Sequence, residues 1–105
     1  MIVVFEQDYL KELYEQGVAK KKKYRFQPQV VKNYQNCIKI LIKAKQIEDL
    51  FPIKSLNYES LKGSKKGISS IRVNNQYRIE FRVSQIDGNS VLTLCNILEL
   101  SNHYS

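Results

Sequence analysis

Two stretches of alternating apolar and polar residues, 69–73 and 77–83, constrain the fold of this chain more than any other feature. Apolar side chains at every second position predict half-buried antiparallel strands with one face toward a core. The three residues between them, 74–76 (Asn-Asn-Gln), suit a short hairpin loop because asparagine tolerates left-handed backbone conformations. An odd loop length keeps the flanking apolar residues on one face. The pattern therefore predicts a β-hairpin in which Val73 pairs with Tyr77.

The same register places Arg72 directly opposite Arg78 on the polar face of the hairpin. Like charges at that cross-strand separation, roughly 4.5–5.5 Å between Cβ atoms, destabilise a sheet. An anion, above all a phosphate, bound between the two guanidinium groups explains the pair. The alternative is that the arginines protect an exposed strand face against association, with Glu80 neutralising one of them. Further cations occur nearby in the sequence: Lys54, Lys62, Lys65, Lys66 and Arg82.

The composition favours a polyanionic partner. Seventeen Lys and Arg residues against ten Asp and Glu give a net charge of +7, and such a surface gains affinity by releasing counterions condensed on phosphates. The densest charge run, Lys20–Lys23, is interpreted as a solvated loop, with contact to an RNA backbone as the alternative.

The cysteines, the histidine and the apolar runs exclude several classes. Cys37 and Cys95 lie in apolar periodic segments, where thiols are core residues. With His103 as the single histidine and no Cys-x-x-Cys motif, we expect neither a metal site nor a cofactor. No apolar run approaches the ~20 residues of a membrane span, and residues 1–5 are too short for a signal sequence. We therefore expect a cytoplasmic protein without membrane association, with a single domain over residues 1–105.

The N-terminal half predicts one short strand and two helices. Residues 2–5 form a β-rich run. Asp8 is a candidate cap for a helix over about 9–16 that ends at Gly17, and Pro28 suits the first turn of a second helix. Apolar residues at i, i+3, i+4 and i+7 spacing predict the buried stripe of that second helix. The stripe consists of Val30, Val31, Tyr34, Cys37, Ile38, Leu41 and Ile42.

Asp87-Gly88 predicts a two-residue turn into a last strand, with Ile86 facing Asn89. The predicted pairs are Val83 with Leu92, Phe81 with Leu94, Ile79 with Asn96, and Tyr77 with Leu98. On the opposite face Arg78 lies beside Ile97, with Glu99 one step further and His103 beyond it. The elements together predict an α+β fold, in which two N-terminal helices pack on one face of a twisted, mainly antiparallel sheet. A basic groove is expected on the other face.

Three short motifs and a histidine near the C-terminus carry a family resemblance. They are 61–63 (Leu-Lys-Gly), 70–72 (Ser-Ile-Arg), 77–81 (Tyr-Arg-Ile-Glu-Phe) and His103. In this order and spacing the chain resembles, over essentially its whole length, the HigB toxins of bacterial type II toxin–antitoxin systems, within the RelE/ParE superfamily. The resemblance implies a RelE-like fold and a ribosome-dependent endoribonuclease that cuts mRNA in the aminoacyl site. It also implies a HigA-like helix-turn-helix antitoxin as partner, with operator DNA contacted only through the antitoxin complex.

The resemblance assigns site residues one by one. Lys62 and Arg78 match family residues at the scissile phosphate, and His103 matches the last residue of a C-terminal Asp-Tyr-His triplet. These three are the predicted catalytic residues. Arg72 matches a position that is often arginine and is grouped with Lys65, Lys66 and Arg82 as a predicted RNA or phosphate contact. Ser101-Asn102-His103 stands where the family has Asp-Tyr-His, so Tyr104 is a candidate substitute for the missing aromatic residue.

These residue types support metal-free RNA cleavage. Attack of a ribose 2′-hydroxyl on the adjacent phosphate needs a proton acceptor, stabilisation of the phosphorane charge, and a proton for the leaving oxygen. Arg72, Arg78 and Lys62 suit the second task, and histidine is the side chain that ordinarily titrates near neutral pH. Glu99 or Glu80 is a candidate base, or orients an arginine. Two alternatives stay open: a non-catalytic ParE-like toxin that poisons DNA gyrase, and a basic RNA-binding module.

Overall fold

The computed structural model of the protein describes residues 1–88 and 90–102. Its regular elements follow the order β1 (Ile2–Phe5), α1 (Asp8–Gln16), α2 (Pro28–Lys43), β2 (Glu59–Ser60), β3 (Ser69–Arg72), β4 (Tyr77–Ile86) and β5 (Leu92–Asn102). Short 3₁₀ turns lie at Lys22–Tyr24, Ile47–Leu50, Lys54–Leu56 and Gly63–Lys65. No helix in these described ranges is long and apolar enough to cross a membrane.

The strands form one five-stranded sheet in the order β1-β5-β4-β3-β2. β1 runs parallel to β5, and every other neighbouring pair is antiparallel. The two helices and the apolar side chains of the sheet form a shared core on one face, and the opposite face is called the outer face below. The predicted α+β fold, with a mainly antiparallel sheet, is therefore confirmed.

The helix boundaries follow from local signals, with one correction. Gly17 ends α1 in the left-handed region at φ 77°, and its N–H donates to the Leu13 carbonyl at 3.2 Å, a conformation that glycine adopts without steric cost. Pro28 is the first residue of α2, as predicted. Asp8, however, does not cap α1. Gln7 has the extended backbone of the cap position, so Asp8 is the first helical residue, where its charge favours the positive end of the helix dipole.

The core joins one face of each helix to the alternating apolar residues of the central strands. Tyr34 is fully buried on α2 and donates a hydrogen bond to the Leu10 carbonyl at 2.8 Å, and burial raises the pKa of its hydroxyl. Cys37 and Cys95 are free, buried thiols, and burial raises their pKa to about 11 and about 12. Ile42, predicted to be core, is 43% exposed. It lies beside Leu41 in the last turn of α2, on the edge of the apolar stripe.

The predicted register between β4 and β5 is wrong. The observed pairs are Ile86 with Leu92, Val83 with Cys95, Phe81 with Ile97, Ile79 with Leu100, and Tyr77 with Asn102. The connection spans residues 87–91 rather than the two residues of a tight turn; Asn89 lies outside the described residues. A connection of that length moves the residues of β5 that precede Leu98 along β4 by three positions. An odd shift exchanges the two faces of β5.

A β-bulge at Leu98 then changes the faces of β5 a second time. Glu80 pairs with Glu99 and Phe81 with Ile97, so Leu98 has no partner on β4. The Nε2 of Gln7 donates to the Leu98 carbonyl at 3.0 Å. The extra residue allows both Ile97 and Leu100 to point into the core, which strict alternation forbids.

The observed register also explains Asn96, the polar residue that the predicted register placed opposite Ile79 on the core face. Asn96 lies opposite Arg82, on the outer face, where its Nδ2 donates to the Glu6 carboxylate at 3.0 Å. On the same face Arg78 pairs with Ser101 rather than with Ile97. Ser101 and Asn102 thereby lie at the same end of the outer face as Arg78.

Candidate functional site

A polar cleft of about 330 Å³ lies on the outer face, where β3, β4 and the end of β5 meet the segment that leads from β2 into β3. Its lining residues are Glu59, Leu61, Lys62, Lys65, Ser70, Arg78, Glu80, Ser101 and Asn102. Three cations and two carboxylates therefore share one small space. The sequence predicted a basic groove here, and the structure shows a cleft of mixed charge.

Arg78 forms the floor of the cleft and is only 7% exposed. Its Nε donates to the Ser70 hydroxyl at 2.9 Å, and its Nη2 donates to the carbonyls of Asn57, at 2.6 Å, and Ser70, at 3.4 Å. Asn57 presents its carbonyl from a left-handed conformation at φ 42°, which asparagine tolerates. Within residues 1–88 and 90–102, no hydrogen bond uses Nη1. Because neutral acceptors hold it, the guanidinium keeps its charge and a fixed direction for an anion.

Glu59 is the carboxylate nearest to that guanidinium. Its Oε1 lies 3.9 Å from Arg78 Nη2, and its side chain is about half exposed. No sequence motif assigned a role to Glu59. One sequence feature could have identified it as a site residue: Glu59 is the single acidic residue between Lys54 and Ile79. Its place in the cleft depends on the pairing of Glu59 with Ser70 in the β2–β3 ladder, which a two-residue strand does not reveal in a sequence.

Lys65 and Glu80 form an ion pair across the cleft. Lys65 Nζ donates to both carboxylate oxygens, at 3.0 and 2.9 Å, and this hydrogen bonding raises the pKa of Lys65. Glu80 is nearly buried on β4, whereas Lys65 is half exposed. Glu80 also lies opposite Glu99, so the lysine offsets the repulsion between the two carboxylates. The expectation that Glu80 neutralises an arginine is wrong, since its partner is Lys65.

The predicted pairing of Arg72 with Arg78 is confirmed, but the two side chains differ. Arg72 is exposed, its Nη2 donates to the Asn75 side chain, and it is not among the residues that line the cleft. Arg82 and Lys66 are exposed and also lie outside the cleft, with Arg82 Nη1 close to Gly67. Of the four predicted phosphate contacts, only Lys65 lines the cleft together with Lys62 and Arg78. The anion between the two arginines stays a prediction.

The C-terminal residues are only partly described. Ser101 and Asn102 line the cleft beside Arg78, and Glu99 is exposed outside it. His103 and Tyr104 follow directly and lie outside the described residues. Within the described ranges, no group of three or more His, Cys, Asp or Glu side chains is arranged to hold a metal ion.

Comparisons with known proteins agree with this fold. The family model described as "RelE-like toxin of type II toxin-antitoxin system HigB" matches residues 3–95, and so ends before the Ser101-Asn102-His103 triplet. The solved structure of a YoeB/ParE toxin from Agrobacterium tumefaciens matches with a TM-score of 0.53 and 20% sequence identity, over 99% of this chain and 100% of that chain. No curated protein sequence gives a significant match. The chain belongs to the HigB-like family of RelE-like toxins, and it is the toxin of a type II toxin–antitoxin system whose partner is an antitoxin.

Proposed function

We propose that this toxin is a ribosome-dependent endoribonuclease that cleaves mRNA without a metal ion. The observation that carries the proposal is the fixed, nearly buried guanidinium of Arg78 in a cleft that it shares with Lys62 and Lys65. A charge held in place before the substrate arrives stabilises a transition state without reorganisation at the moment of reaction. Cleavage of RNA is also the activity that the family resemblance implies.

The proposed reaction is attack of a ribose 2′-hydroxyl on the adjacent phosphate. The new bond joins the 2′-oxygen to phosphorus, and the bond from phosphorus to the 5′-oxygen of the next nucleotide breaks. Negative charge builds up on the non-bridging oxygens in the phosphorane. Arg78 and Lys62 are placed to receive that charge, because a guanidinium or ammonium group donates hydrogen bonds to phosphate oxygens.

Two proton transfers complete the reaction. The 2′-hydroxyl loses a proton to a base, and the leaving 5′-oxygen gains one from an acid. Glu59 is a candidate base, since its half-exposed carboxylate lines the cleft and is not held in a short ion pair. Glu80 is a poor base, since both of its oxygens accept hydrogen bonds from Lys65. His103 is the candidate acid and follows two residues that line the cleft.

The ribosome is proposed to hold the mRNA in line with these groups. A substrate fixed in the reactive orientation gains much of the rate that a small open cleft cannot supply alone. The antitoxin is proposed to be HigA-like, with a helix-turn-helix domain through which the complex contacts operator DNA.

Cleavage of mRNA on programmed ribosomes tests the proposal. Purified toxin added to ribosomes stalled on a defined mRNA should produce new 5′ ends within the occupied coding sequence. The same toxin and mRNA without ribosomes should give little product. Intact mRNA together with accumulating gyrase–DNA breaks in cells would support the ParE-like alternative, and binding of RNA without cleavage would support the RNA-binding module.

A further inference from the structure

A second groove, of about 500 Å³, lies at the β2 edge of the sheet and is lined by Phe51, Ile53, Lys54, Asn57 and Tyr58. Phe51 is 54% exposed, although it is one of the largest apolar side chains of the protein. Its ring lies against the ring of Tyr58, with centroids 5.0 Å apart and planes tilted by 43°. Lys54 is the only charged residue among the lining residues. The groove therefore combines an exposed aromatic face with one cation.

Each residue of the aromatic pair makes a hydrogen bond to a neighbouring segment. The Phe51 N–H donates to the Glu48 carbonyl at 3.2 Å, directly after the fully buried Leu50. The Tyr58 hydroxyl lies 2.8 Å from the hydroxyl of Ser69 on β3. The first bond fixes the backbone of Phe51, and the second fixes the Tyr58 ring, so the tyrosine loses little side-chain freedom when a ligand binds.

The groove and the cleft are neighbours, with Asn57 between them. This residue lines the groove, and its carbonyl accepts the 2.6 Å hydrogen bond from Arg78. The next two side chains point to opposite faces of the sheet. Tyr58 bonds to Ser69 on the core side, and Glu59 enters the cleft on the outer face. One extended residue advances the chain by only ~3.3 Å. The groove and the cleft therefore lie close together at the β2 edge, and a strand that leaves the cleft across this edge passes beside the groove.

We propose that this groove binds a nucleobase of the mRNA next to the scissile phosphate, by stacking the base on Phe51 and Tyr58. This inference rests on the proposed function of the cleft. Every base has a π-face that stacks on aromatic side chains, and Lys54 is placed to meet the phosphate attached to that nucleotide. No carboxylate is among the lining residues, so none of them repels a polyanionic strand. The groove thus contributes to the choice of the cleavage position.

A single tryptophan provides a direct probe, since the natural chain contains none. Phe51→Trp, made by cell-free synthesis, is titrated with a 2′-O-methyl RNA hexamer that cannot undergo 2′-hydroxyl attack. Stacking should quench the indole fluorescence. Ile86→Trp is the matched control, because Ile86 is similarly exposed, at 50%, but lies at the far end of β4. Its fluorescence should not change.

Phe51→Ala measures the contribution of the platform. Loss of one stacked base should weaken binding of the hexamer by about 5- to 150-fold, and should flatten the nucleotide preference at the cut site on programmed ribosomes. Arg78→Ala separates this inference from the proposed function. Suppose that Arg78→Ala abolishes cleavage, that Phe51→Ala changes neither hexamer binding nor nucleotide preference, and that the fluorescence of Phe51→Trp does not respond to RNA. The groove is then not a base site, and the proposed function stands.

Two other outcomes also decide the matter. If neither Arg78→Ala nor Phe51→Ala alters ribosomal cleavage, the cleft is not the active site and both proposals fail. If Phe51→Ala weakens binding of the antitoxin and leaves hexamer binding unchanged, the groove is a protein-binding surface and the base-stacking inference is overturned.

Discussion

Arg72 and Arg78 face each other across one rung of the β3–β4 hairpin, yet they lie in two different regions of the protein. Arg78 is enclosed by the hydroxyl of Ser70 and the carbonyl of Asn57, whereas Arg72 turns toward Asn75 in the hairpin loop and is exposed. The backbone register is the same for both. What distinguishes them is a set of neutral acceptors on one side only: Ser70 on β3, and the Asn57 carbonyl from the segment that precedes β2.

Two residues that pair directly across neighbouring strands can therefore differ in burial and hydrogen bonding, and so in how they can bind a ligand. A guanidinium held in place needs no reorganisation when it meets a phosphate, whereas a solvated one must lose water and side-chain freedom first. We therefore expect Arg78 to dominate over Arg72, although the sequence treats them as a symmetric pair. The predictions below test this ranking.

The largest expected effect is that of Arg78→Ala. Removing the fixed charge should lower cleavage on programmed ribosomes by about 10³-fold, at the upper end for loss of one electrostatic donor. Arg78→Lys should recover little activity, because an ammonium group does not reproduce the fork that joins Ser70 to Asn57. Thermal unfolding is the control. The variants leave buried acceptors unpaired and should lose about 1–3 kcal/mol of stability without unfolding. Activity that falls only in proportion to the unfolded fraction would make the arginine structural.

The acid and base groups come next. His103→Gln and Glu59→Gln should each lower single-turnover cleavage by about 10²-fold, the lower part of the range for loss of one proton-transfer group. Rates measured from pH 5.5 to 8.5 test the histidine, since His103→Gln should lose the limb of the profile that lies near neutral pH. A His103 variant within a few-fold of the unmodified toxin would exclude histidine from the proton transfers and make Tyr104 the next candidate.

A smaller effect is expected from Glu80→Gln, which frees Lys65. Hydrogen bonding to Glu80 raises the pKa of Lys65, so the folded protein holds this proton more tightly than the unfolded chain does. The stabilising contribution is therefore complete below the ordinary lysine pKa of 10.5 and is lost as pH rises through the raised value. The unmodified toxin and Glu80→Gln should differ slightly in melting temperature at pH 7 and converge at high pH. A constant difference at every pH would mean that packing, not the ion pair, is responsible.

The smallest effect is expected from Arg72→Ala. A side chain outside the cleft contributes only long-range attraction to RNA, so cleavage should fall by less than about fivefold and the loss should shrink in high salt. Arg72→Lys should behave like the unmodified toxin. A loss as large as that of Arg78→Ala would restore the symmetric phosphate site expected from the sequence.

The sequence predicts the β3–β4 hairpin because its register depends on local information. Alternation and a three-residue loop are enough to pair Val73 with Tyr77 and Arg72 with Arg78. The same reasoning fails for β5, where the connection is longer than its Asp-Gly signal suggests and a bulge at Leu98 is held by Gln7, 91 residues earlier in the chain. Bulges of this kind depend on tertiary contacts that no local pattern encodes.

The candidate site is predictable to the same extent. Lys62 and Arg78 follow from the motifs, because the motifs preserve the spacing of residues that meet in the cleft. The left-handed backbone of Asn57 and the entry of Glu59 into the cleft do not follow from them. Both depend on how the segment after α2 returns to the edge of β3, a long-range arrangement without periodicity of its own.

The position of β5 has a consequence for how the toxin is made. β5 is the last strand along the chain, but it is inserted between β1 and β4, and it supplies Ser101 and Asn102 to the cleft. A chain still in synthesis has β1 and the β3–β4 hairpin, but it lacks the strand that joins them. Such a chain cannot close the sheet or complete the cleft, since that pairing is non-local and late. The toxin therefore completes its cleft only after β5 has been translated.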